Sequence, residues 1–179
     1  MIVGAIMLGA VLVSAESLDP VIKEMSAKYN VPEALIKAVI TVESNWDMNA
    51  SRYETGMKDA SWGLMQVLLS TAKDVLNNPN LTTTELLNPR TNIEAGTAYL
   101  ASQLKRYGGS IPDAIAAYNA GTAKFNPVTR MYSNQGYVNK VYGYYVVYKT
   151  KETLTTTAGI PMLIGLGIVG LVAISGGEK

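Results

Sequence analysis

The chain has 179 residues, enough for one domain with short appendages, and its 15 Lys and Arg against 14 Asp and Glu leave a net charge of +1. This near-balance argues against a nucleic-acid-binding protein, which normally carries a clear basic excess. Because the sequence contains neither His nor Cys, Ser-His-Asp and Cys-His mechanisms, disulfides and His- or thiolate-ligated metal sites are excluded, and carboxylates are the natural groups for acid/base chemistry.

Residues 1–15 form a hydrophobic segment whose apolar run, from Met1 to Val13, is too short to span a bilayer comfortably. The run has the character of a signal-peptide core, and Val13-Ser14-Ala15 is an acceptable small-residue cleavage site. The positively charged segment that normally precedes such a core is missing apart from the α-amino group. The segment therefore fits either an export signal or a retained arm that docks on a membrane or a protein.

Residues 16–150 carry a helical pattern and form the predicted domain. Pro20 and Pro32 stand where proline is favoured, at the first position of a helix. Between Pro32 and Glu43 the apolar residues recur at the spacing of a buried helix. The sequence further predicts helices at about 69–77, 92–107, 112–120 and 135–149, loops at 45–62, 78–91 and 121–134, and no β-sheet. We therefore expect an all-α domain.

Residues 151–179 contain a second apolar run, which is uncharged from Ala158 through Ile174. Its length is at the short end of what a membrane-spanning helix needs. Gly165, Gly167 and Gly170 have the G-x-G-x-x-G spacing, but only nine residues follow, so the βαβ unit of a dinucleotide site cannot form. The composition instead predicts a C-terminal transmembrane-type segment, with the glycines as close-packing positions.

Four short blocks of sequence carry the chemistry. Glu43 ends an apolar helix, where burial can keep a carboxyl group protonated near neutral pH, although a single Glu at a helix end is most often just solvated. Other blocks follow downstream in a fixed order. They are Glu43-Ser44-Asn45-Trp46, Ser61-Trp62-Gly63-Leu64-Met65-Gln66-Val67, Asn92 through Leu100, and Ala117-Tyr118-Asn119-Ala120-Gly121, followed by Tyr137-Val138.

Together these blocks resemble the SLT-type lytic transglycosylases, relatives of goose-type lysozyme, over about residues 18–145. The resemblance implies a lysozyme-like helical fold with a groove for peptidoglycan glycan strands, and neither a metal nor an organic cofactor. It implies that Glu43 protonates the bond between N-acetylmuramic acid and N-acetylglucosamine. Glu43 would then act as base on the muramic acid 6-hydroxyl, which closes a 1,6-anhydro ring and replaces the second carboxylate of ordinary glycosidases.

The resemblance also implies roles for residues around the acid. Ser44 orients substrate or the carboxyl group, and Tyr137 donates a hydrogen bond to that carboxyl group. Glu94, the other carboxylate within a block, is implied to be structural or to contact the peptide stem, and it ranks below Glu43 as a catalyst. The remaining residues implied to bind substrate are Gly63, which allows close backbone approach, Met65 and Gln66, which line the groove, and Tyr118 and Asn119, which contact the sugar.

Tyrosines recur at three-to-four spacing between Tyr137 and Tyr148, which is the spacing of one helix face. Core packing explains this spacing. Because the apolar run 158–174 follows closely, the last tyrosines also fit an interfacial aromatic belt, and the two interpretations are compatible.

Two other functions remain open from the sequence. A lysozyme-type hydrolase of the same bond would need a second carboxylate, which Asp47, Glu54 or Asp59 could supply. A non-catalytic structural or membrane-penetrating component would keep the fold only to hold glycan, but the presence of Glu43 and Gln66 argues against it. The hydrophobic ends suit a membrane-associated protein of the periplasm or cell envelope. Its setting would be a phage virion, where local wall cleavage opens a path for the genome, or a conjugation or secretion complex.

Overall fold

The computed structural model describes residues 18–54 and 59–157. Helices dominate these residues, and two small antiparallel sheets lie between them. The helices are α1 (Asp19–Tyr29), α2 (Glu33–Ser44), α3 (Leu69–Val75), α4 (Thr83–Leu86), α5 (Pro89–Arg106), α6 (Ile111–Ala120) and α7 (Gln135–Thr157). The strands are β1 (Ser51–Glu54), β2 (Asp59–Trp62), β3 (Val67–Leu68), β4 (Phe125–Asn126) and β5 (Met131–Tyr132).

Helix α2 lies at the centre of the core, and α7 packs along it. Its apolar residues are buried almost all around the helix, as expected for a helix surrounded by others. The helix ends abruptly because Asn45 and Trp46 both adopt the left-handed conformation, with φ of 50° and 68°. This sharp turn places Glu43 at the last turn of a buried helix, directly before the chain leaves the core.

Helix α5 packs against α1, α3 and α6 and starts with a well-formed cap. The Asn88 side chain accepts hydrogen bonds from the backbone N–H groups of Arg90 and Thr91, and Pro89 occupies the first helical position. In the middle of the helix, Gly96 leaves room for Met65, since a Cβ atom on Gly96 would lie 2.6 Å from Met65 Cβ. The 63–66 turn therefore sits directly on α5.

The prediction of an all-α, lysozyme-like domain is confirmed, but the expectation of no β-sheet was wrong. Strands β1, β2 and β3 form an antiparallel sheet in which Arg52 pairs with Ser61 and Trp62 with Val67. Strands β4 and β5 form a separate two-stranded ribbon. Each strand has only two to four residues, too few for alternation along the sequence to reveal them.

Two further differences concern helices. The short helix α4 lies in the predicted loop 78–91 and is held by a capping box between Thr82 and Glu85. Helix α7 continues to Thr157, past the predicted end at 149. The hydrophobic segments predicted at residues 1–15 and 158–174 lie outside the described residues. Within the described ranges, no helix combines the length and the apolar character that crossing a bilayer requires.

Candidate active site

A groove of about 440 Å³ opens on the face where α2 ends. The small sheet forms one side of it, and α5 and the end of α6 form the other. The residues that line it are Glu43, Arg52, Ser61, Gln66, Val67, Leu68, Ser70, Thr71, Tyr99, Tyr118, Asn119 and Gly121. Four predicted site residues, Glu43, Gln66, Tyr118 and Asn119, are thus brought to one groove.

Tyr137 holds the Glu43 carboxyl group from α7. The Tyr137 hydroxyl donates a hydrogen bond to Glu43 Oε1 at 2.6 Å, a short distance typical of a bond to an ionised acceptor. Burial raises the pKa of Tyr137 well above its ordinary value, and the neighbouring charge of Glu43 raises it further. Tyr137 therefore stays protonated and acts as a permanent donor that fixes the orientation of the carboxyl group.

Ser44 links the end of α2 to the turn formed by residues 63–66. Its Oγ lies 2.7 Å from the carbonyl oxygen of Leu64 and 3.2 Å from that of Ile40. The nearer carbonyl belongs to the turn, so the hydroxyl joins two segments that are 20 residues apart in sequence. This geometry fits a residue that sets the position of the groove floor relative to the acid.

The turn itself depends on two left-handed residues. Gly63 has φ of 71°, and a Cβ atom there would lie 2.7 Å from Asn92 Cγ, so both the conformation and the close approach require glycine. Gln66 has φ of 47°. Its side-chain Nε2 donates to the carbonyl oxygens of Ala50 and Gly63, while its Oε1 accepts from Ser61 Oγ. Gln66 lines the groove in a fixed orientation.

Met65 is placed beneath the groove and not in its wall. Its side chain is fully buried and packs under Gly96. The expected contact of this side chain with substrate does not fit that position. Its backbone carbonyl oxygen accepts a hydrogen bond from the Tyr118 hydroxyl at 2.8 Å. Met65 thus supports the floor of the groove from the core.

Asn92 holds this turn and was not assigned a role from the sequence. The side chain is fully buried on α5, and its Oδ1 accepts from the backbone N–H of Met65 at 2.8 Å. Its Nδ2 donates to the carbonyl oxygens of Trp62 at 2.7 Å and Leu86 at 3.0 Å. A buried Asn on an otherwise apolar helix face is the sequence signal for such a residue, because an unsatisfied amide there would be costly.

Two tyrosine rings from α5 and α6 form part of the groove wall. The rings of Tyr99 and Tyr118 are tilted, with centroids 5.2 Å apart. Burial raises the pKa of Tyr118 well above its ordinary value, and the charge of Glu43 adds to the shift. Because the Tyr118 hydroxyl is committed to Met65, this residue presents its ring to the groove. Tyr99 belongs to the same wall, although the sequence did not single it out.

Asn119 is exposed at the end of α6, and Asn134 fixes its amide group. Asn134 Nδ2 donates to Asn119 Oδ1 and to the carbonyl oxygen of Ala116, both at 3.0 Å. With its oxygen engaged, Asn119 keeps its N–H groups for the groove. The backbone carbonyl of Asn134 also accepts from the N–H groups of Tyr137 and Val138. One residue therefore positions Asn119 and starts the helix that carries Tyr137.

Glu43 supplies the only carboxylate among the described residues that line the groove. Glu94 accepts hydrogen bonds from Lys28 Nζ at 2.5 Å and the Tyr29 hydroxyl at 3.2 Å, so it links α5 to α1. Asp47 accepts from the backbone N–H of Asn49, and Asp59 accepts from the hydroxyl and N–H of Ser70. In the described ranges no group of three or more acidic side chains could hold a metal ion.

Comparisons with known proteins agree with this geometry. The family described as "Transglycosylase SLT domain" matches residues 20–140. An inactive mutant of the lytic transglycosylase Slt from Pseudomonas aeruginosa is 24% identical, with a TM-score of 0.61, over 78% of this chain and 25% of that chain. The 70 kDa soluble lytic transglycosylase from Escherichia coli is 24% identical, with a TM-score of 0.62, over 75% of this chain and 24% of that chain.

A complex of the 70 kDa soluble lytic transglycosylase with bulgecin A gives a TM-score of 0.63 at 24% identity, over 77% of this chain and 25% of that chain. The chain spans about a quarter of the length of each of these solved structures. The matches show that the helical fold around the groove is shared with them.

Proposed function

This chain belongs to the transglycosylase SLT domain family, and on that premise we propose that it cleaves the β-1,4 bond between N-acetylmuramic acid and N-acetylglucosamine in peptidoglycan, leaving a 1,6-anhydromuramic acid end. One observation carries the proposal. Glu43 stands in the groove as its single described carboxylate, and Tyr137 holds it at 2.6 Å. A reaction that needs one acid and takes its nucleophile from the substrate matches such a site.

The proposed reaction has two steps, and Glu43 carries the proton in both. Protonated Glu43 first gives its proton to the glycosidic oxygen as the bond from that oxygen to C1 of muramic acid breaks. The carboxylate then takes the proton of the muramic acid 6-hydroxyl while its oxygen bonds to C1. Glu43 is protonated again at the end, and no water is consumed. The hydrogen bond from Tyr137 holds the carboxyl group between the two oxygens throughout.

The groove supplies positioning for this chemistry. The 6-hydroxyl is part of the substrate, so its attack is intramolecular and depends on how the sugar is held. Gln66 and Asn119 offer polar groups from opposite sides of the groove, while Tyr99 and Tyr118 offer ring surface against which a sugar can pack. Gly63 and Met65 would act from below by shaping the floor, and Ser44 by fixing the height of the floor relative to Glu43.

The hydrolase alternative requires a second carboxylate that activates water across the sugar from Glu43. Asp47 and Asp59 do not line the groove, and Asp59 is committed to Ser70. Glu54 pairs with Asp59 at the outer end of the hairpin, six residues before the groove-lining Ser61 side of β2 is reached through its register. These positions favour the transglycosylase over the lysozyme.

Mass spectrometry of the muropeptides released from purified peptidoglycan tests the proposal. Full-length protein in detergent is expected to release products with 1,6-anhydro ends, each lighter by one water than the hydrolytic product. Glu43→Gln should abolish the release. Glu94→Gln is the matched control, because this carboxylate lies in a family block but binds Lys28 away from the groove.

The possible results separate the hypotheses. Products with reducing ends would make the protein a hydrolase. Release by Glu43→Gln at the rate of the unaltered protein would remove Glu43 as the acid. Loss of release in Glu94→Gln but not in Glu43→Gln would exchange their roles. No release by the unaltered protein would favour a structural component that only holds glycan.

We further propose that the protein acts at the cell envelope, held there by residues 151–179, and that it belongs to a phage particle that opens the wall locally for genome entry. The uncharged sequence from Ala158 through Ile174 supports the membrane attachment. Detection of the protein in purified virions would support the phage setting. Its presence only in the envelopes of uninfected cells would overturn it.

A further inference from the structure

Helix α7 has apolar side chains on the face that points away from the domain. Its inner face packs in the core through Val138, Val141 and Tyr145. The outer face should be polar if it met only water. Instead it carries side chains that are 43–50% exposed, namely Tyr142, Tyr144, Val146, Val147 and Leu154. We call these five residues the exposed arc of α7.

Lysines border the exposed arc on both sides. Successive residues of a helix are turned by about 100°, which places Val146 and Val147 within the arc and Lys149 at one edge. Lys140 and Lys151 fall at the opposite edge. Lys149 and Lys151 lie along the rings of Tyr145 and Tyr148, at 5.7 Å and 5.9 Å from their centroids. An apolar strip bordered by Lys and Tyr is typical of a helix that lies in a membrane interface.

Two threonines within the same surface have their hydroxyl groups satisfied by the helix. Thr150 Oγ1 donates to the carbonyl oxygen of Val146 at 2.9 Å, and Thr153 Oγ1 donates to that of Lys149 at 3.0 Å. A hydroxyl bonded in this way can leave water without an unpaired donor, so its desolvation costs less. The polar residues of the outer face are thus already compatible with an apolar neighbour.

The charge of this surface indicates what covers it. The one acidic residue of the described helix, Glu152, is partly buried on the inner side and feels the charge of Lys37. A second copy of the chain would bring lysine-bordered strips together, whereas an anionic lipid surface complements them. The uncharged run 158–174 begins directly after the helix ends at Thr157. A lipid partner therefore suits both the composition of the arc and its place in the chain.

We propose that the exposed arc of α7 docks flat on an anionic lipid surface, so that the catalytic domain lies against the membrane and does not stand away from it. The inference deepens the proposed function, since it rests on the membrane attachment suggested for residues 158–174. Because α7 packs along α2 and carries Tyr137, the docked helix would hold Glu43 at a fixed height above the lipid surface.

Cysteine labelling tests the geometry, because the chain contains no Cys. Tyr142→Cys, Val146→Cys and Leu154→Cys each receive an environment-sensitive fluorophore in the full-length protein. Thr84→Cys, on the exposed side of α4, is the matched control. With vesicles of phosphatidylcholine and phosphatidylglycerol, we expect the emission of all three α7 labels to rise and shift to the blue, and the Thr84 label to stay unchanged.

The three α7 positions distinguish a docked helix from an upright one. At about 1.5 Å per residue, Tyr142 lies roughly 24 Å along the axis from residue 158, whereas Leu154 lies only about 6 Å away. An upright helix would therefore give a response at Leu154 alone, and that result would overturn the proposal. Responses at Tyr142 and Val146 without vesicles, rising with protein concentration, would assign the arc to a second copy. Such responses without vesicles and independent of concentration would assign it to the chain's own C-terminal run.

The lysines give a second measurement. Lys140→Gln or Lys149→Gln, placed in the Val146→Cys protein, should lower the docked-to-undocked ratio by about 5-fold each, and added salt should lower it further. An unchanged ratio in both variants would remove the electrostatic part of the proposal. Docking needs no catalysis, so the same label responses are expected in Glu43→Gln. Failure of the cleavage assay and failure of docking are therefore independent results.

Discussion

The hydrogen bond between Tyr137 and Glu43 is the contact on which the proposed acid depends most directly. We predict that its contribution appears as a coupling free energy between Tyr137→Phe and Glu43→Ala in a double-mutant cycle of unfolding. The distance of 2.6 Å and the partial burial of both groups describe a hydrogen bond to a charged acceptor. Such bonds contribute about 1.5–3 kcal/mol, so the coupling should fall in that range.

Tyr148 provides the matched comparison on the same pair of helices. Its hydroxyl lies 2.9 Å from Thr41 Oγ1, which is a neutral acceptor on α2. Tyr148→Phe should therefore cost only about 0.5–1.5 kcal/mol, and it should leave glycan cleavage unchanged. Tyr137→Phe should instead lower kcat by about 10- to 100-fold, because the same 1.5–3 kcal/mol is lost from the orientation of the acid.

Urea denaturation of the four proteins of the cycle, followed by circular dichroism, gives the coupling free energy, and anhydromuropeptide release gives kcat. A coupling free energy below about 0.5 kcal/mol would mean that the bond is not made in solution. A loss of kcat in Tyr148→Phe equal to that in Tyr137→Phe would mean that α7 acts only as a scaffold. Either result would refute the assignment of Tyr137 as the residue that positions Glu43.

Three further predictions concern the residues around the acid. Asn92→Ala removes three hydrogen bonds from buried partners and should lower the free energy of unfolding by roughly 3–6 kcal/mol in urea titrations, whereas the exposed Asn80→Ala should change it by less than about 0.5 kcal/mol. Asn134→Ala should lower kcat/KM about 10-fold and have no further effect in an Asn119→Ala background, because its effect passes through that amide. Burial alone would raise the pKa of Asp59, but hydrogen bonds from Ser70 and Ala60 lower it below its ordinary value. The stability lost in Asp59→Asn should therefore be full above about pH 4 and shrink as the pH falls through the folded-state pKa, while the cleavage rate at neutral pH is retained.

Much of the helical framework could be predicted because its signals are local. The spacing of apolar residues before Glu43 and the prolines at helix starts correspond to α1 and α2 in the structure. The strands could not be predicted in this way, because their order depends on pairing between segments and each is very short. The end of α7 was missed because no Pro or Gly follows Gly143 before Thr157.

The candidate site divides along the same line. Glu43 and Tyr137 could be matched by family resemblance, and the structure brings them together across 94 residues of sequence. Arg52, Tyr99 and Asn134 reach the site through strand pairing, helix packing and a side-chain contact, none of which leaves a local pattern. Met65 was placed in the groove by its neighbours in sequence, but a residue in a tight turn can point into the core while the next one, Gln66, points out.

The sequence blocks that carry the family resemblance form one connected set of hydrogen bonds around the 63–66 turn. Ser44 reaches the Leu64 carbonyl, Asn92 binds the backbone N–H of Met65, and Tyr118 donates to the Met65 carbonyl. Each block therefore fixes the same short turn from a different helix, and Tyr137 closes the set by binding Glu43. A substitution in any one block should alter the distance between the acid and the groove floor, which explains in physical terms why the blocks act as a single site and not as four separate motifs.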